Sequence, residues 1–190
     1  MKTIIQNVEK EFRSRFGKEY LLIKSPGRVN LIGEHTDYNE GFVLPAAVDK
    51  CIILAISKND AGKFRFYAID KSESYEADAS EEAKRSDLGW PNYLLGVVDE
   101  LRKRGDQIGG FDCVFSGNVP IGAGMSSSAA LENGVVFGLN RLFKLQIDEI
   151  DMVKIAQRAE NNFVGVQCGI MDQFVSMMGE EGHVLQLDCR

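Results

Sequence analysis

Three stretches of the 190-residue chain gather residue types able to do chemistry. The first, Gly27-Arg28-Val29-Asn30-Leu31-Ile32-Gly33-Glu34-His35-Thr36-Asp37-Tyr38-Asn39, sets one guanidinium among several acceptors. Carboxylates accept hydrogen bonds from hydroxyl groups and arginine offers a fixed cationic fork, so the set suits a polyhydroxylated substrate beside a phosphate. The same residues also describe a surface loop with turn formers Asp37 and Asn39 and a structural Arg–Glu pair. The second stretch is Pro120-Ile121-Gly122-Ala123-Gly124-Met125-Ser126-Ser127-Ser128-Ala129-Ala130-Leu131-Glu132. Glycines let backbone N–H groups approach an anion, and a helix start favours phosphate, so it reads as a phosphate cradle. No Lys follows the last glycine and Ser127 stands where a dinucleotide fingerprint needs Gly, so both common nucleotide motifs fail. A plain turn with a serine N-cap fits it equally.

The third stretch pairs Ala159-Glu160-Asn161-Asn162 with Val166-Gln167-Cys168-Gly169-Ile170-Met171-Asp172-Gln173. One carboxylate with a serine hydroxyl can hold Mg²⁺, which takes only one or two protein carboxylates beside phosphate oxygens. The other could face an acceptor hydroxyl. Against this, Glu160 could be an exposed helical acid and Asp172 an N-cap.

The elements that must position these residues follow from periodicity. Ile4, Ile5, Val8, Phe12 and Phe16 recur at helical spacing until Gly17. Tyr20 to Lys24 is a short strand, which Ser25-Pro26-Gly27 breaks, opening the polar stretch through Gly41. Lys50 to Ser57 and Lys63 to Ile69 are expected as strands joined by a hairpin at Asn59-Asp60-Ala61-Gly62, with a further strand over Ser72 to Ala77. The charged run Ser80 to Asp87 reads as a solvated surface segment. Trp90-Pro91 starts a helix that ends at Gly105, Phe111 to Phe115 is a strand, and Gly117 to Met125 a loop. Helices follow over Ser126 to Leu142 and Asp148 to Asn161, then a Gly-containing break and a strand-like Val184 to Leu187. Repeats and internal linkers are not evident. The fold class expected is α+β, a mixed, mainly antiparallel sheet covered by helices.

Composition limits the function. Hydrophobic residues at 44% with only 4 prolines can bury a core, which argues against disorder. A net charge of −6 gives no basic footprint, so nucleic acid is not expected as a partner. The longest apolar run, Cys51 to Ile56, is far short of a membrane span, and Asn7, Glu9 and Lys10 interrupt any signal peptide. A cytoplasmic protein without a membrane partner is expected. Cys51, Cys113, Cys168 and Cys189 are scattered and lack metal-ligand spacing with His35 or His183, which suits buried reduced thiols.

Together the three stretches resemble the GHMP family of small-molecule kinases, and within it the galactokinases. Gly27 to Pro45 is similar to their sugar signature, Pro120 to Glu132 to the family phosphate loop, and Cys168 to Gln173 to the block carrying a catalytic aspartate. The resemblance implies transfer of the ATP γ-phosphoryl group to the anomeric hydroxyl of galactose, with Mg²⁺ as cofactor and galactose and Mg-ATP as the molecules bound. It implies that Glu34, His35, Asp37 and the Gly169 backbone bind the sugar, and that Arg28 and Asp172 are catalytic. By the same analogy ATP meets Pro120, Gly122, Ala123, Gly124, Met125, Ser126, Ser127 and Ser128, with Trp90 and Tyr93 near the adenine, while Ser128 and Glu160 hold Mg²⁺. Asp172 would act as a base or mainly orient the hydroxyl.

Relatives acting on N-acetylgalactosamine and non-catalytic galactose sensors share the sugar signature. The run Ser127-Ser128-Ala129-Ala130 speaks against a sensor, which lacks a Ser-Ala pair in this loop. The family implies an amino-terminal GHMP domain over residues 1 to 190. The stop at Cys189-Arg190 after a strand pattern suggests a truncated chain, without the second domain, and expected to be inactive by itself.

Overall fold

The run Cys51-Ile52-Ile53-Leu54-Ala55-Ile56 is buried at every position, and the layers of the fold follow from covering both of its faces. Successive strand side chains point to opposite faces. Cys51, Ile53 and Ala55 accordingly pack with Val114 against Val8 and Phe12 of α1 (Lys2–Phe16). Ile52, Leu54 and Ile56 face the larger core under α2 (Pro91–Lys103), α3 (Ser127–Phe143) and α4 (Glu149–Arg158). The computed structural model describes every residue except Lys18 and Ile121, so Ile121 of the glycine loop lies outside the described residues.

The main sheet has five strands in the order β1-β3-β6-β4-β5, from β1 (Leu21–Asn30), β3 (Pro45–Lys58), β4 (Lys63–Ala68), β5 (Glu73–Asp78) and β6 (Phe111–Gly117). Among the described residues only β4 and β6 pair in parallel. The mixed, mainly antiparallel sheet covered by helices is as expected, but two details differ. The expected hairpin between β3 and β4 does not form, because β6 lies between them. Buried from Phe111 to Ser116, β6 needs a partner on each edge, and the segment after β3 splays to admit it. Asn59 holds the splayed connection: its N–H donates to Gly110 O at 3.1 Å and its Nδ2 to Lys63 O at 2.9 Å and Asp112 Oδ1 at 2.7 Å.

The second difference concerns β1. It does not stop at Ser25-Pro26-Gly27 but runs on to Asn30, its register with β3 shifting between Pro26 and Arg28. A proline is tolerated on an edge strand and a bulge absorbs the irregularity. Arg28 therefore projects from a strand rather than from a loop. A Cβ on Gly27 would stand 2.6 Å from Met125 O, so this glycine lets β1 and the glycine loop touch, and the Arg28 N–H donates to Met125 O at 3.2 Å.

Helix starts fall close to where the sequence sets them: Pro91 opens α2, and Asp148 caps α4 by accepting from Asp151 N at 2.8 Å. Gly138 lets α3 lie close on the sheet, since a Cβ there would come within 2.8 Å of Ile23 Cδ1. The helix expected through Asn161 ends at Arg158 and continues as a π-helical turn, Ala159–Val164, closed by Gly165 at φ 88°. The following break contains a helix the periodicity does not give, α5 (Met171–Met178), anchored by Met171 and Val175. Among the described residues, Leu187 alone of the expected strand Val184 to Leu187 is paired, in a two-residue strand β7 (Leu187–Asp188) that lies against β2 (Phe42–Val43).

The charged segment 80–87 is not wholly solvated, because Arg85 donates to Phe163 O and Ser86 N–H to Asn92 Oδ1. Of the four free thiols only Cys51 and Cys113 are buried, while Cys168 and Cys189 are partly exposed. Among the described residues no helix is long and apolar enough to cross a membrane.

Asp112 is 2% exposed and accepts from Asn59 and, at 2.7 Å each, from Nε and Nη2 of Arg65. It therefore ties β6 to both flanking strands at the splayed end. Asp112→Ala leaves these donors unmatched and is expected to cost about 1–3 kcal/mol, read as a lower urea midpoint at unchanged slope.

Candidate functional site

The three chemistry-bearing stretches converge where β1, the glycine loop and α5 meet. Arg28 Nε donates to Asp172 Oδ1 at 2.7 Å and Nη2 lies 2.6 Å from the same oxygen, while Nη1 donates to Gly124 O. Ser126 Oγ donates to Asp172 Oδ2. One carboxylate in the first turn of α5 is thus gripped from the strand and from the loop. The Arg–Glu pair allowed by the sequence does not form; the partner of Arg28 is Asp172. Nor is Asp172 the N-cap, a position taken by Ile170.

Ser126 precedes α3 with φ 56°, a left-handed conformation uncommon outside glycine, and its hydroxyl makes no capping bond. The serine N-cap reading therefore gives the position but not the role. Gly122 and Gly124 have φ of 76° and 67°, and Pro120 to Gly124 are exposed where described, so the backbone of the loop is open to a ligand. Ser127 and Ser128 follow at the start of α3 and line a cavity of about 310 Å³ with Trp90, Tyr93, Asp70 and Lys71. Trp90 is buried and donates from Nε1 to Glu73 Oε2 at 2.7 Å, so it forms a fixed wall. Burial, then Glu160 and Glu132, raise the Tyr93 hydroxyl above its ordinary pKa.

Asp37 is half-buried and packs against Gly169, where an added Cβ would overlap its carboxylate. Burial, and then the nearby Asp172, push the Asp37 carboxyl above its usual range. The loop before it is pinned by Thr36 Oγ1 to Gly33 O and Phe42 O at 2.9 and 2.8 Å and by Asn39 Nδ2 to His35 O at 2.7 Å. His35 and Glu34 are exposed; His35 takes φ 62° and pairs through Nδ1 with Tyr38. They share the loop with Asp37 but make no contact with the Arg28–Asp172 pair.

Glu160 is only 6% exposed, so the reading of it as a surface acid is overturned. The π-helical turn directs it inward. Burial raises its pKa, opposed by hydrogen bonds from Ser128 and Cys168. Two residues without an assigned role in the sequence complete this cluster. Glu132 on α3 is wholly buried, and Gln173 Nε2 donates to Glu160 Oε2 at 2.7 Å and to Glu132 Oε2 at 3.5 Å. Burial and the adjacent Glu160 hold Glu132 well above the usual carboxylate range. The signal that could have found it is an acid inside the run Ala129-Ala130-Leu131-Glu132-Asn133-Gly134-Val135-Val136, where a buried helix face allows no solvated charge.

Residues 92–180 match the model of the GHMP kinases N terminal domain, and residues 10–58 match the galactokinase galactose-binding signature. The chain belongs to the GHMP kinases. Its fold is that of the GHMP amino-terminal domain. The crystal structure of Lactococcus lactis galactokinase complexed with galactose is similar at 36% identity and TM-score 0.93, over 98% of this chain and 49% of that one. Mevalonate kinase of Methanococcus jannaschii shares the fold at 19% identity and TM-score 0.77, over 90% of this chain and 54% of that one. A D-glycero-D-manno-heptose 1-phosphate kinase from a Bacteroides species does so at 18% identity and TM-score 0.73, over 87% of this chain and 58% of that one. The GHMP kinase chain described here thus spans about half the length of the galactokinase it resembles.

Within this GHMP kinase domain the raised pKa of Glu132 has a stability consequence. The folded state binds the proton more tightly than the unfolded state, so the stabilisation is complete below the unfolded pKa and is lost as pH rises through the folded one. Glu132→Gln removes that loss. Urea unfolding is expected to show the variant gaining on the wild type between pH 4 and pH 7, on either side of an unfolded Glu pKa of about 4.3; a pH-independent difference would contradict the assignment.

Proposed function

We propose that the protein is a galactokinase, acting in the cytoplasm in galactose catabolism, and that it transfers the γ-phosphoryl group of ATP to the anomeric hydroxyl of galactose. The observation that carries this reading is the double engagement of Asp172, by Arg28 and by Ser126 of the glycine loop, beside the Asp37–Gly169 contact. A sugar hydroxyl at Asp172 would lie next to the loop suited to the phosphates. In that reading Asp37, Glu34, His35 and the Gly169 backbone bind galactose, and the backbone and serines of Pro120 to Ser128 cradle the triphosphate. The cavity walled by Trp90 and Tyr93 takes the adenine.

The reaction forms a bond from the anomeric oxygen to the γ-phosphorus and breaks the bond to the β–γ bridging oxygen, giving galactose 1-phosphate and ADP. Phosphoryl transfer of this kind depends on positioning and on neutralising charge. Arg28 supplies a fixed cation beside the reacting oxygens. Both oxygens of Asp172 already accept hydrogen bonds, Oδ1 from Arg28 and Oδ2 from Ser126. This favours a carboxylate that orients the hydroxyl and receives its proton late, once bond formation has made that oxygen acidic.

The donor set fits Mg²⁺: the hydroxyl of Ser128 at the start of α3, beside the phosphate loop, and the carboxylate that the π-helical turn directs inward are hard oxygens of the number this cation takes from protein. Ser128 and Glu160 would hold it, and it would supply charge neutralisation of the β- and γ-phosphate oxygens.

The deciding experiment is sugar-dependent ADP release by the complete natural protein with Mg-ATP and either galactose or N-acetylgalactosamine. Release with galactose is expected. Release with N-acetylgalactosamine alone would reassign the sugar, and retained galactose binding without release would make the protein a sensor. Asp172→Asn is expected to lower kcat by roughly 10²–10⁴ while galactose binding, measured by calorimetry, stays near normal. A parallel loss of binding would remove Asp172 from catalysis. Asp37→Ala is expected to weaken galactose binding by about 1–3 kcal/mol, and an unchanged KM would remove it from the sugar site.

A further inference from the structure

We infer that Gln173 is a positioning residue that fixes the Glu160 carboxylate for the cation, a claim that rests on the kinase reading above. Gln173 is wholly buried, directly follows Asp172 in α5, and has its side-chain nitrogen between two carboxylates. Nε2 lies 2.7 Å from Glu160 Oε2 and 3.5 Å from Glu132 Oε2. An amide nitrogen carries two N–H groups, and these are the only donors the side chain has. Turning the amide over would set its oxygen 2.7 Å from the Glu160 carboxylate, acceptor against acceptor, so the orientation follows from the surroundings.

The neighbouring contacts show what this arrangement accomplishes. Cys168 Sγ lies 3.5 Å from the same Glu160 Oε2, so Gln173 at 2.7 Å is the nearer of the two side chains that hold this oxygen. Mg²⁺ demands near-ideal geometry and is served by a carboxylate held in one rotamer. Gln173 is itself held, since Asn133 Nδ2 of α3 donates to its backbone oxygen at 2.7 Å. One residue therefore joins the helix carrying Asp172, the π-helical turn carrying Glu160 and the helix that begins at Ser127-Ser128. Among the described residues Gln173 Oε1 and Glu132 Oε1 find no hydrogen-bond partner. A side chain serving only to fill the core would be apolar here, because an unsatisfied buried amide oxygen destabilises the fold.

The test measures Mn²⁺ binding to the complete protein with ADP by electron paramagnetic resonance, and galactose binding by calorimetry, for Gln173→Met, Glu160→Gln and the double variant. Gln173→Met is expected to weaken Mn²⁺ binding by about 10- to 100-fold, the range for outer residues that orient a ligand, and to leave galactose binding unchanged. In the Glu160→Gln background the same change should add less than about twofold, because a positioning effect vanishes with the ligand it positions. Equal weakening in both backgrounds would make Gln173 merely structural and overturn the proposal, as would unchanged Mn²⁺ affinity in Gln173→Met. Unchanged Mn²⁺ affinity in Glu160→Gln would instead locate the failure in the metal reading of Glu160, and the proposal would fall with it. Should Gln173→Met not fold, Gln173→Asn keeps the amide but withdraws it from Glu160, and the same expectations apply.

Discussion

Four carboxylic acids, Asp37, Glu132, Glu160 and Asp172, are drawn together in this domain, and the site depends on how that charge is compensated. Arg28 is the cation among them, bound to Asp172 with both groups mostly shielded from solvent. The remaining acids are handled by other means. Burial and the adjacent Glu160 push Glu132 toward its neutral form, Glu160 takes a hydrogen bond from Gln173, and Asp37 keeps partial contact with solvent. Burying acids in this way is unfavourable for folding unless each is paired or neutralised. In the proposed kinase such an arrangement would have a purpose, since a negative cluster would attract the cation of a metal-bound triphosphate while the glycine loop met the anion.

The scaffold makes the convergence possible because both faces of β3 are buried. Helix α1 covers one face, leaving α2, α3 and α4 to the other, and α3 must then begin at the end of the sheet where β1 turns toward its bulge. Gly27 allows the loop before α3 to touch that strand. The ion pair between Arg28 and Asp172 is thus a consequence of layer packing: it closes a distance that the strand, the loop and α5 have already brought to contact.

Local signals were legible in the sequence wherever one segment decided its own structure. The helix starts at Pro91 and Asp148, the α1 periodicity and the glycines of the loop all correspond to observed elements. What local pattern could not reveal depends on distant partners. The splitting of the β3–β4 hairpin is set by β6, which arrives more than forty residues later and is too apolar to leave an edge open. The continuation of β1 through Pro26 depends on pairing with β3, and the inward turn of Glu160 depends on a π-helical turn that leaves no period of its own. At the site, motif order singled out Arg28, Asp37, Gly169 and Asp172, which the fold brings together, whereas Gln173 gains meaning only from Glu132 and Glu160 on other helices.

The left-handed Ser126 shows why the loop and the aspartate must be considered together. A serine at φ 56° is held against its backbone preference, and its side chain gives up the capping bond that serine commonly makes at a helix start. Both sacrifices direct the hydroxyl to Asp172, so helix α3 begins with its first N–H groups free of a side-chain cap. Those uncapped donors, with the positive end of the helix dipole, are what an incoming phosphate would find. The same conformation that fixes the carboxylate therefore leaves the helix start open to an anion, and in the proposed phosphoryl transfer one residue would serve both halves of the site.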